Sequence, residues 1–169
     1  MKGLQRLEYR GYDSAGIALY DGNKINLTKT KGKVIDLKDR SENDIPLNGN
    51  VGVGHTRWAT HGIPNDVNSH PHYSNSGNLI IIHNGIIENY ESIKQELTTR
   101  GYTFESDTDT EVLVNLIEEV KKKEDVLLGK AVQIALNQVV GAYAIAVFDV
   151  QKPDEIVVAK LGSPLAIGI

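Results

Sequence analysis

The sequence predicts an α+β domain in which strands and helices occupy separate parts of the chain. Three observations support this class. Short β-branched or alternating segments occur in the first half, three amphipathic segments with helical spacing follow, and another pair of strand-like segments comes after them. Because blocks of strands and helices must bury their apolar faces against one another, we expect a layered α+β architecture in one domain.

The first two strands are predicted to form a hairpin. Residues 14–20 and 24–31 have strand-like composition, and Asp21-Gly22-Asn23 lies between them. An Asp-Gly step between two such segments is a strong short-range hairpin signal, since both residues tolerate the turn backbone.

Two further strands are predicted at residues 51–57 and 79–83, and polar residues follow each of them. Residues 64–78 between them are rich in Asn, Ser, Pro and Gly and are predicted to form a long loop. A loop of this length within a compact domain is usually functional.

The helices and the last strands follow in order. Residues 89–100 have an apolar face and end before Gly101, a common helix stop. Residues 108–111 match a capping box and precede an apolar stripe, and a third helix is predicted at 126–138. Residues 142–150 and 155–160 are predicted to form a hairpin around 152–154, and residues 165–169 to begin another strand.

Composition excludes several classes of function. The 169 residues suffice for one domain with a sizeable core, and the net charge of −4 argues against binding to nucleic acid. The N-terminus has no apolar signal segment, and no apolar run is long enough to cross a bilayer. The chain contains no cysteine, which excludes disulfides and thiolate metal sites and makes a cytoplasmic location the default expectation.

Arg57 is the strongest candidate for binding a ligand. It stands in His55-Thr56-Arg57-Trp58-Ala59-Thr60-His61-Gly62, directly after an apolar strand. A guanidinium presents a fixed fork of donors that matches a carboxylate such as that of an amino acid. The alternative is a surface arginine in an ion pair.

Asn84, Gly85 and Asp109 are further candidates. A side-chain amide beside a glycine N–H at the end of a strand can form an oxyanion hole, although an Asn-Gly turn would also explain the pair. Asp109 lies in a predicted first helical turn, where a carboxylate favours the helix dipole and could also hold a substrate ammonium.

All five histidines lie between His55 and His83, which raises the possibility of a metal site. The helical His-Glu-x-x-His pattern is absent, there is no thiolate, and Asp66 is the only carboxylate at a ligand-like spacing in the loop. We therefore expect neither a metal nor another cofactor, and keep a histidine metalloenzyme only as an alternative.

Several motifs in the same order resemble the glutaminase domains of the glucosamine-6-phosphate synthase family, whose members make an amino sugar phosphate from fructose 6-phosphate and glutamine. The resemblance covers almost the whole chain and rests on residues 7–16, the segment 55–62, and the motifs Asn68-Ser69-His70-Pro71-His72, His83-Asn84-Gly85-Ile86-Ile87-Glu88-Asn89, Thr108-Asp109-Thr110-Glu111 and Gly162-Ser163-Pro164-Leu165.

The resemblance implies the four-layer αββα sandwich of the N-terminal-nucleophile hydrolases, in which an N-terminal cysteine attacks the glutamine amide and ammonia is released. It implies that Arg57 holds the α-carboxylate of L-glutamine and Asp109 the α-ammonium, and that Asn84 and Gly85 form the oxyanion hole. Thr60, His61 and His70 would line the pocket. Trp58 would belong to a loop that closes over glutamine and helps to guide ammonia toward sugar isomerase domains.

The sequence departs from this family pattern because it has no cysteine. We therefore expect residues 1–169 to be a glutaminase domain trimmed at both ends, without the first strand and the sugar isomerase domains, and inactive by itself. An exposed sheet edge could then make the chain a homo-oligomer. The alternatives are the glutaminase domain of another amidotransferase and a non-catalytic glutamine-binding module.

Overall fold

The computed structural model describes residues 1–43, 47–58 and 62–168, which form two antiparallel sheets and five α-helices. None of the helices in these ranges is long and apolar enough to cross a membrane. The elements in chain order are α1 (Lys2–Leu7), a short 3-10 turn (Glu8–Arg10), β1 (Ser14–Tyr20), β2 (Ile25–Lys31), α2 (Val34–Asn43), β3 (Val51–Arg57), β4 (His72–Tyr73), β5 (Leu79–Ile87), α3 (Tyr90–Thr99), α4 (Asp109–Glu124), α5 (Leu128–Leu136), β6 (Gly141–Asp149) and β7 (Lys152–Leu161).

The first sheet has the strand order β2-β1-β3 and the second has the order β4-β5-β6-β7. Strands β1 and β2 form the predicted hairpin, in which Tyr20 pairs with Ile25. The carboxylate of Asp21 accepts hydrogen bonds from the backbone N–H groups of Asn23 and Lys24, both at 2.9 Å, and so stabilises the turn. Within the described residues β3 is an edge strand of the three-stranded first sheet.

Three apolar cores separate four layers. The cores lie between α1, α2 and the first sheet, between the two sheets, and between the second sheet and helices α3, α4 and α5. Within the second sheet, adjacent residues of one strand serve different cores, because successive side chains point to opposite faces. Ile80 and Phe148 pack between the sheets, whereas Ile81 and Val147 pack against the helices. The expected αββα sandwich is confirmed.

Helix α4 begins at the predicted capping box, but only half of the box forms as expected. The hydroxyl of Thr108 accepts a hydrogen bond from the backbone N–H of Glu111 at 3.3 Å. The Glu111 carboxylate does not accept the hydrogen bond from the backbone N–H of Thr108 that a complete capping box has. It accepts hydrogen bonds from the backbone N–H groups of Glu105 and Ser106 at 2.9 and 2.7 Å, and thereby fixes the loop that leads into the helix.

Some boundaries differ from the sequence prediction. Strand β5 continues to Ile87 rather than ending at His83, since it pairs with β6 as far as Gly141. Strand β7 already begins at Lys152, helix α2 had not been predicted, and the long loop contains the two-residue strand β4. The strand predicted at 165–169 is wrong for residues 165–168, which pair with no strand, and Ile169 lies outside the described residues.

We predict that Gly85→Ala will lower the free energy of unfolding by at least about 3 kcal/mol, because it combines backbone strain with overpacking. Gly85 has a φ of 150°, and a Cβ there would lie 2.0 Å from the backbone oxygen of Ala142 on the neighbouring strand. The matched control is Gly77→Ala, since Gly77 also has a positive φ of 76° but has open space around it. We expect that control to cost about 1 kcal/mol. Equal costs in urea titrations would contradict the steric argument.

Candidate functional site

A cleft of about 510 Å³ is lined by the second half of β3, the second half of β5 and the first turn of α4. It brings together every predicted site residue that the structure describes, namely Arg57, Trp58, His70, Asn84, Gly85 and Asp109. The remaining two, Thr60 and His61, lie outside the described residues. Residues that are far apart in sequence therefore meet in one cleft, and their roles in it remain predictions.

Arg57 is the last residue of β3 and is only 4% exposed. Burial lowers the pKa of Arg57, while the carboxylates of Asp13 and Asp109 oppose that change. A guanidinium remains charged in proteins even so. One of its nitrogens, Nη2, donates to the backbone oxygen of Gly62 at 3.4 Å. The alternative of a solvent-exposed ion pair is wrong, and the cleft instead contains a largely desolvated cation.

Asp109 is the first residue of α4 and is also 4% exposed. Its Oδ2 atom accepts a hydrogen bond of 2.8 Å from the backbone N–H of Ile87 on β5. The helix start favours a carboxylate at this position, so the structural role suggested by the sequence is present. The hydrogen bond from Ile87 also links the helix to the sheet and holds the carboxylate at the cleft wall.

Asn84 and Gly85 lie within β5 rather than beyond its end. They pair with Ala144 and Tyr143 of β6, so the alternative explanation as an Asn-Gly turn is wrong. The sequence could not show this, because the extent of a strand depends on a partner distant in the chain. The Asn84 side chain is exposed in the cleft and Gly85 lines it beside that side chain. The role in an oxyanion hole remains a prediction.

Trp58 and His70 lie at opposite depths of the cleft. Trp58 is 62% exposed. Its ring makes an edge-to-face contact with the ring of Tyr12, with the ring centroids 5.4 Å apart. His70 is buried and reaches the cleft from the long loop. The loop comes so close to β1 that a Cβ on Gly16 would lie 2.1 Å from the backbone oxygen of His70. Glycine at position 16 therefore permits the placement of His70.

Three imidazoles form a row, and two of them, His55 and His70, line the cleft. The rings of His55 and His70 are stacked with centroids 4.4 Å apart, and the ring of His72 meets His70 edge-on at 5.0 Å. Burial lowers the pKa of His55 to about 4 and lowers the pKa values of His70 and His72 well below 6.5. All three are therefore neutral near pH 7, so Arg57 provides positive charge without competition from imidazolium groups.

Thr110 and His83 are among the cleft residues that received no role from the sequence pattern. Both are buried and line the cleft, and the Thr110 hydroxyl lies 3.0 Å from Nδ1 of His83. The sequence offered one indication of their place: Thr110 follows Asp109 in the capping box, and His83 precedes Asn84 on the strand. That signal places the residues near the site without showing that their side chains touch.

The clustered histidines raised the alternative of a metal site. Over residues 1–43, 47–58 and 62–168, no group of three His, Cys, Asp or Glu side chains is arranged to hold a metal ion. Within the row of imidazoles the contacts are between ring faces and edges.

Comparison with known proteins identifies relatives of this arrangement. The family described as "Glutamine amidotransferase domain" matches residues 42–165. Glutamine–fructose-6-phosphate aminotransferase (isomerizing) of Bacteroides thetaiotaomicron is 58% identical over 171 residues, and that of Chlorobaculum tepidum is 53% identical over 172 residues. Each match covers 100% of this chain but only 28% of the relative.

Solved structures show the same fold. The glutamine phosphoribosylpyrophosphate amidotransferase of B. subtilis superposes with a TM-score of 0.76 at 30% identity, over 94% of this chain and 33% of that protein. A structure described as the allosteric regulatory enzyme of purine biosynthesis superposes with a TM-score of 0.73 at 32% identity, over 86% of this chain and 31% of that protein.

We predict that the free energy of unfolding falls as the pH is lowered from about 7.5 to about 5. The unfolded chain binds protons at histidine near pH 6.5, whereas the folded pKa of His55 is about 4 and those of His70 and His72 are also lowered. Between these values the unfolded state holds more protons, so the stability present above pH 6.5 is lost toward pH 4, by up to ~1.4 kcal/mol per pH unit for each group.

Urea titrations across this range measure the effect. His55→Gln is the matched variant and should reduce the slope by about one proton, because glutamine does not titrate. A free energy of unfolding that is constant between about pH 7.5 and pH 5 would contradict the prediction.

Proposed function

The chain belongs to the glutamine amidotransferase domain family, and from this premise we propose that it is the glutaminase domain of an enzyme that makes glucosamine 6-phosphate from fructose 6-phosphate and L-glutamine. The domain binds glutamine and supplies ammonia for transfer to the sugar. The sequence identity of 58% and 53% to two glutamine–fructose-6-phosphate aminotransferases (isomerizing) supports the assignment. The chain spans 28% of the length of each, so the reaction belongs to the larger protein.

The observation that carries the proposal is a pair of opposite, largely buried charges in one cleft. Arg57 and Asp109 are each 4% exposed and both line it. An α-amino acid carries one carboxylate and one ammonium on the same carbon, and this pair is complementary to it. Arg57 binds the carboxylate through its planar fork, and Asp109 accepts from the ammonium. The glutamine side chain then extends along β5.

Asn84 and Gly85 act on the other end of the substrate in this proposal. As a nucleophile attacks the side-chain amide, negative charge develops on its oxygen, and the Asn84 amide and the Gly85 N–H donate to that oxygen. The tetrahedral intermediate then collapses: the carbon–nitrogen bond of the amide breaks, the leaving nitrogen takes the proton of the nucleophile to depart as ammonia, and a glutamyl thioester remains, which water hydrolyses. The described geometry supports this role by placing both residues at the cleft.

The nucleophile is not among these 169 residues. By resemblance it is a cysteine whose own α-amino group acts as the general base, and the chain contains no cysteine. Since the relatives are more than three times as long as this chain, we place the cysteine in a segment outside the sequence described. Residues 1–169 then contribute substrate binding and oxyanion stabilisation, and the cysteine completes the site.

The proposed partners are L-glutamine, the sugar isomerase domains of the same enzyme, and a second copy of the chain in a homo-oligomer. The exposed Trp58 at the mouth of the cleft suits the closing of the site and the guiding of ammonia toward the isomerase domains. We propose a cytoplasmic location, which agrees with the absence of cysteine from the chain. No cofactor and no nucleic acid take part.

A non-catalytic glutamine-binding module is the second candidate. The absence of cysteine favours it, because the binding residues would remain useful without a nucleophile. The two candidates predict the same ligand and differ in chemistry. An assay of ammonia release distinguishes the two candidates. The assay uses a protein extended at its N-terminus to include the family cysteine, since only a glutaminase domain becomes active when it is extended in this way.

We predict that Arg57→Ala and Asp109→Ala each weaken the binding of L-glutamine by about tenfold to a hundredfold. Each change removes one charge-assisted contact to a desolvated ligand group, worth about 1.5–3 kcal/mol. Isothermal titration calorimetry of the 169-residue chain and the extended protein measures the dissociation constants.

The matched control is Arg100→Ala. Arg100 is a partly exposed arginine that pairs with Glu96 and Glu119 away from the cleft, and its removal should leave glutamine binding unchanged. If Asp109→Ala lowers the melting temperature but does not change glutamine affinity, Asp109 has only its role at the helix start.

We predict that the 169-residue chain releases no ammonia from L-glutamine above a buffer blank, because oxyanion donors accelerate a reaction only when a nucleophile attacks. The extended protein should release ammonia and should lose roughly 100-fold or more of its kcat on Asn84→Ala. Activity of the 169-residue chain that Asn84→Ala abolishes would show that another nucleophile operates.

A further inference from the structure

The hydroxyl of Thr110 is the centre of a buried polar cluster beneath the cleft. Thr110 is the second residue of α4 and is 0% exposed. Its Oγ1 lies 3.0 Å from Nδ1 of His83, 3.4 Å from Nε2 of His70 and 3.4 Å from Oδ1 of Asp109. One hydroxyl thus contacts two buried imidazoles, those of His83 and His70, and the carboxylate that the proposed function assigns to the substrate ammonium.

The proton positions follow from the surrounding groups. The backbone N–H of His83 donates to Nδ1 of His70 at 3.3 Å, so that nitrogen is an acceptor. Burial keeps His70 neutral by lowering its pKa, and a neutral imidazole carries its single proton on the other nitrogen. The Nε2–H of His70 therefore points at the oxygen of Thr110. The hydroxyl is an acceptor from this side.

The orientation of His83 determines where the hydroxyl proton goes. Nδ1 of His83 also lies 3.9 Å from Oδ2 of Asp109, and a nearby carboxylate favours a proton on that nitrogen over a lone pair. Nδ1–H of His83 then donates to Thr110 as well. Since a hydroxyl has one proton and two acceptor sites, the proton of Thr110 is directed to Oδ1 of Asp109.

This arrangement holds Asp109 at both oxygens. The backbone N–H of Ile87 donates to Oδ2 at 2.8 Å, and the Thr110 hydroxyl donates to Oδ1. At 3.4 Å the second contact is longer than an ordinary O–H···O hydrogen bond and is therefore the weaker of the two. Without it, the carboxylate could rotate about its bond to Cβ, and its approach to a ligand would be less well defined.

We propose that Thr110 is a positioning residue, which sets the Asp109 carboxylate for an α-ammonium group and so makes the cleft selective for α-amino acids over the corresponding acids without the amino group. The inference rests on the proposed function, because it assumes that glutamine occupies the cleft. Thr110 itself is fully buried and acts on the ligand only through Asp109.

The test compares two ligands that differ only in the ammonium. They are L-glutamine and 5-amino-5-oxopentanoate, which retains the carboxylate and the side-chain amide. Thr110→Val removes the hydroxyl and keeps the shape of the side chain. Calorimetry on the 169-residue chain should show binding of L-glutamine weakened by about tenfold, with binding of the des-amino ligand changed by less than about twofold.

Thr110→Ser is the matched control, since it keeps the hydroxyl and loses only a methyl group. It should retain the preference for L-glutamine to within about threefold. We expect the same result for Thr110→Ala as for Thr110→Val. The alanine variant replaces the valine variant if circular dichroism and thermal melts show that valine prevents folding. In an Asp109→Asn background, loss of the hydroxyl should have no further effect on the preference, because the two changes act through one contact.

The possible outcomes distinguish a failure of this inference from a failure of the proposed function. If Thr110→Val weakened the binding of both ligands equally, Thr110 would have a merely structural role and the inference would be overturned. An unchanged preference for L-glutamine in that variant would overturn it while leaving the proposed function intact. If the parent chain and the extended protein bind neither ligand, the proposed function fails and the positioning role fails with it.

Discussion

The register between β5 and β6 is the constraint on which the site depends. Nine consecutive pairs run from Leu79 with Asp149 to Ile87 with Gly141. A shift of one residue would turn each side chain of β5 to the opposite face of the sheet. Asn84 would then leave the cleft, and the backbone N–H of Ile87 would no longer meet the Asp109 carboxylate. The register therefore fixes both the proposed oxyanion donors and the orientation of the first turn of α4.

The distribution of apolar residues explains why this constraint can be maintained beside a polar cleft. The largest of the three cores lies between the second sheet and helices α3, α4 and α5, and it includes Ile81 and Ile117, which are fully buried. The cores on the two faces of the first sheet are much smaller. Because burial of apolar area is the main source of stability, the helical layer carries most of it. The interface between the sheets can then accommodate buried groups such as Arg57 and His70.

The charges of the cleft are simplified by burial. A buried imidazole next to Arg57 would be unfavourable in its charged form, and burial itself lowers the pKa values of His55 and His70, so that both are neutral. The guanidinium of Arg57 and the carboxylate of Asp109 are buried charges at the cleft wall, and the exposed Arg10 also lines the cleft. A zwitterionic amino acid, the ligand that we propose, would complement both of these buried charges.

The sequence by itself determined the α+β class, the β1–β2 hairpin and the start of α4, because turn chemistry at Asp21 and the cap at Thr108 are local interactions between residues close in the chain. Its motifs also indicated the candidate residues, including Arg57 at the end of an apolar strand. The tertiary structure alone decided that β5 continues through Asn84 and that Arg57 is desolvated. It also decided that the Thr110 hydroxyl touches two histidines and a carboxylate. These facts depend on pairing and packing between residues distant in sequence, which no local pattern encodes.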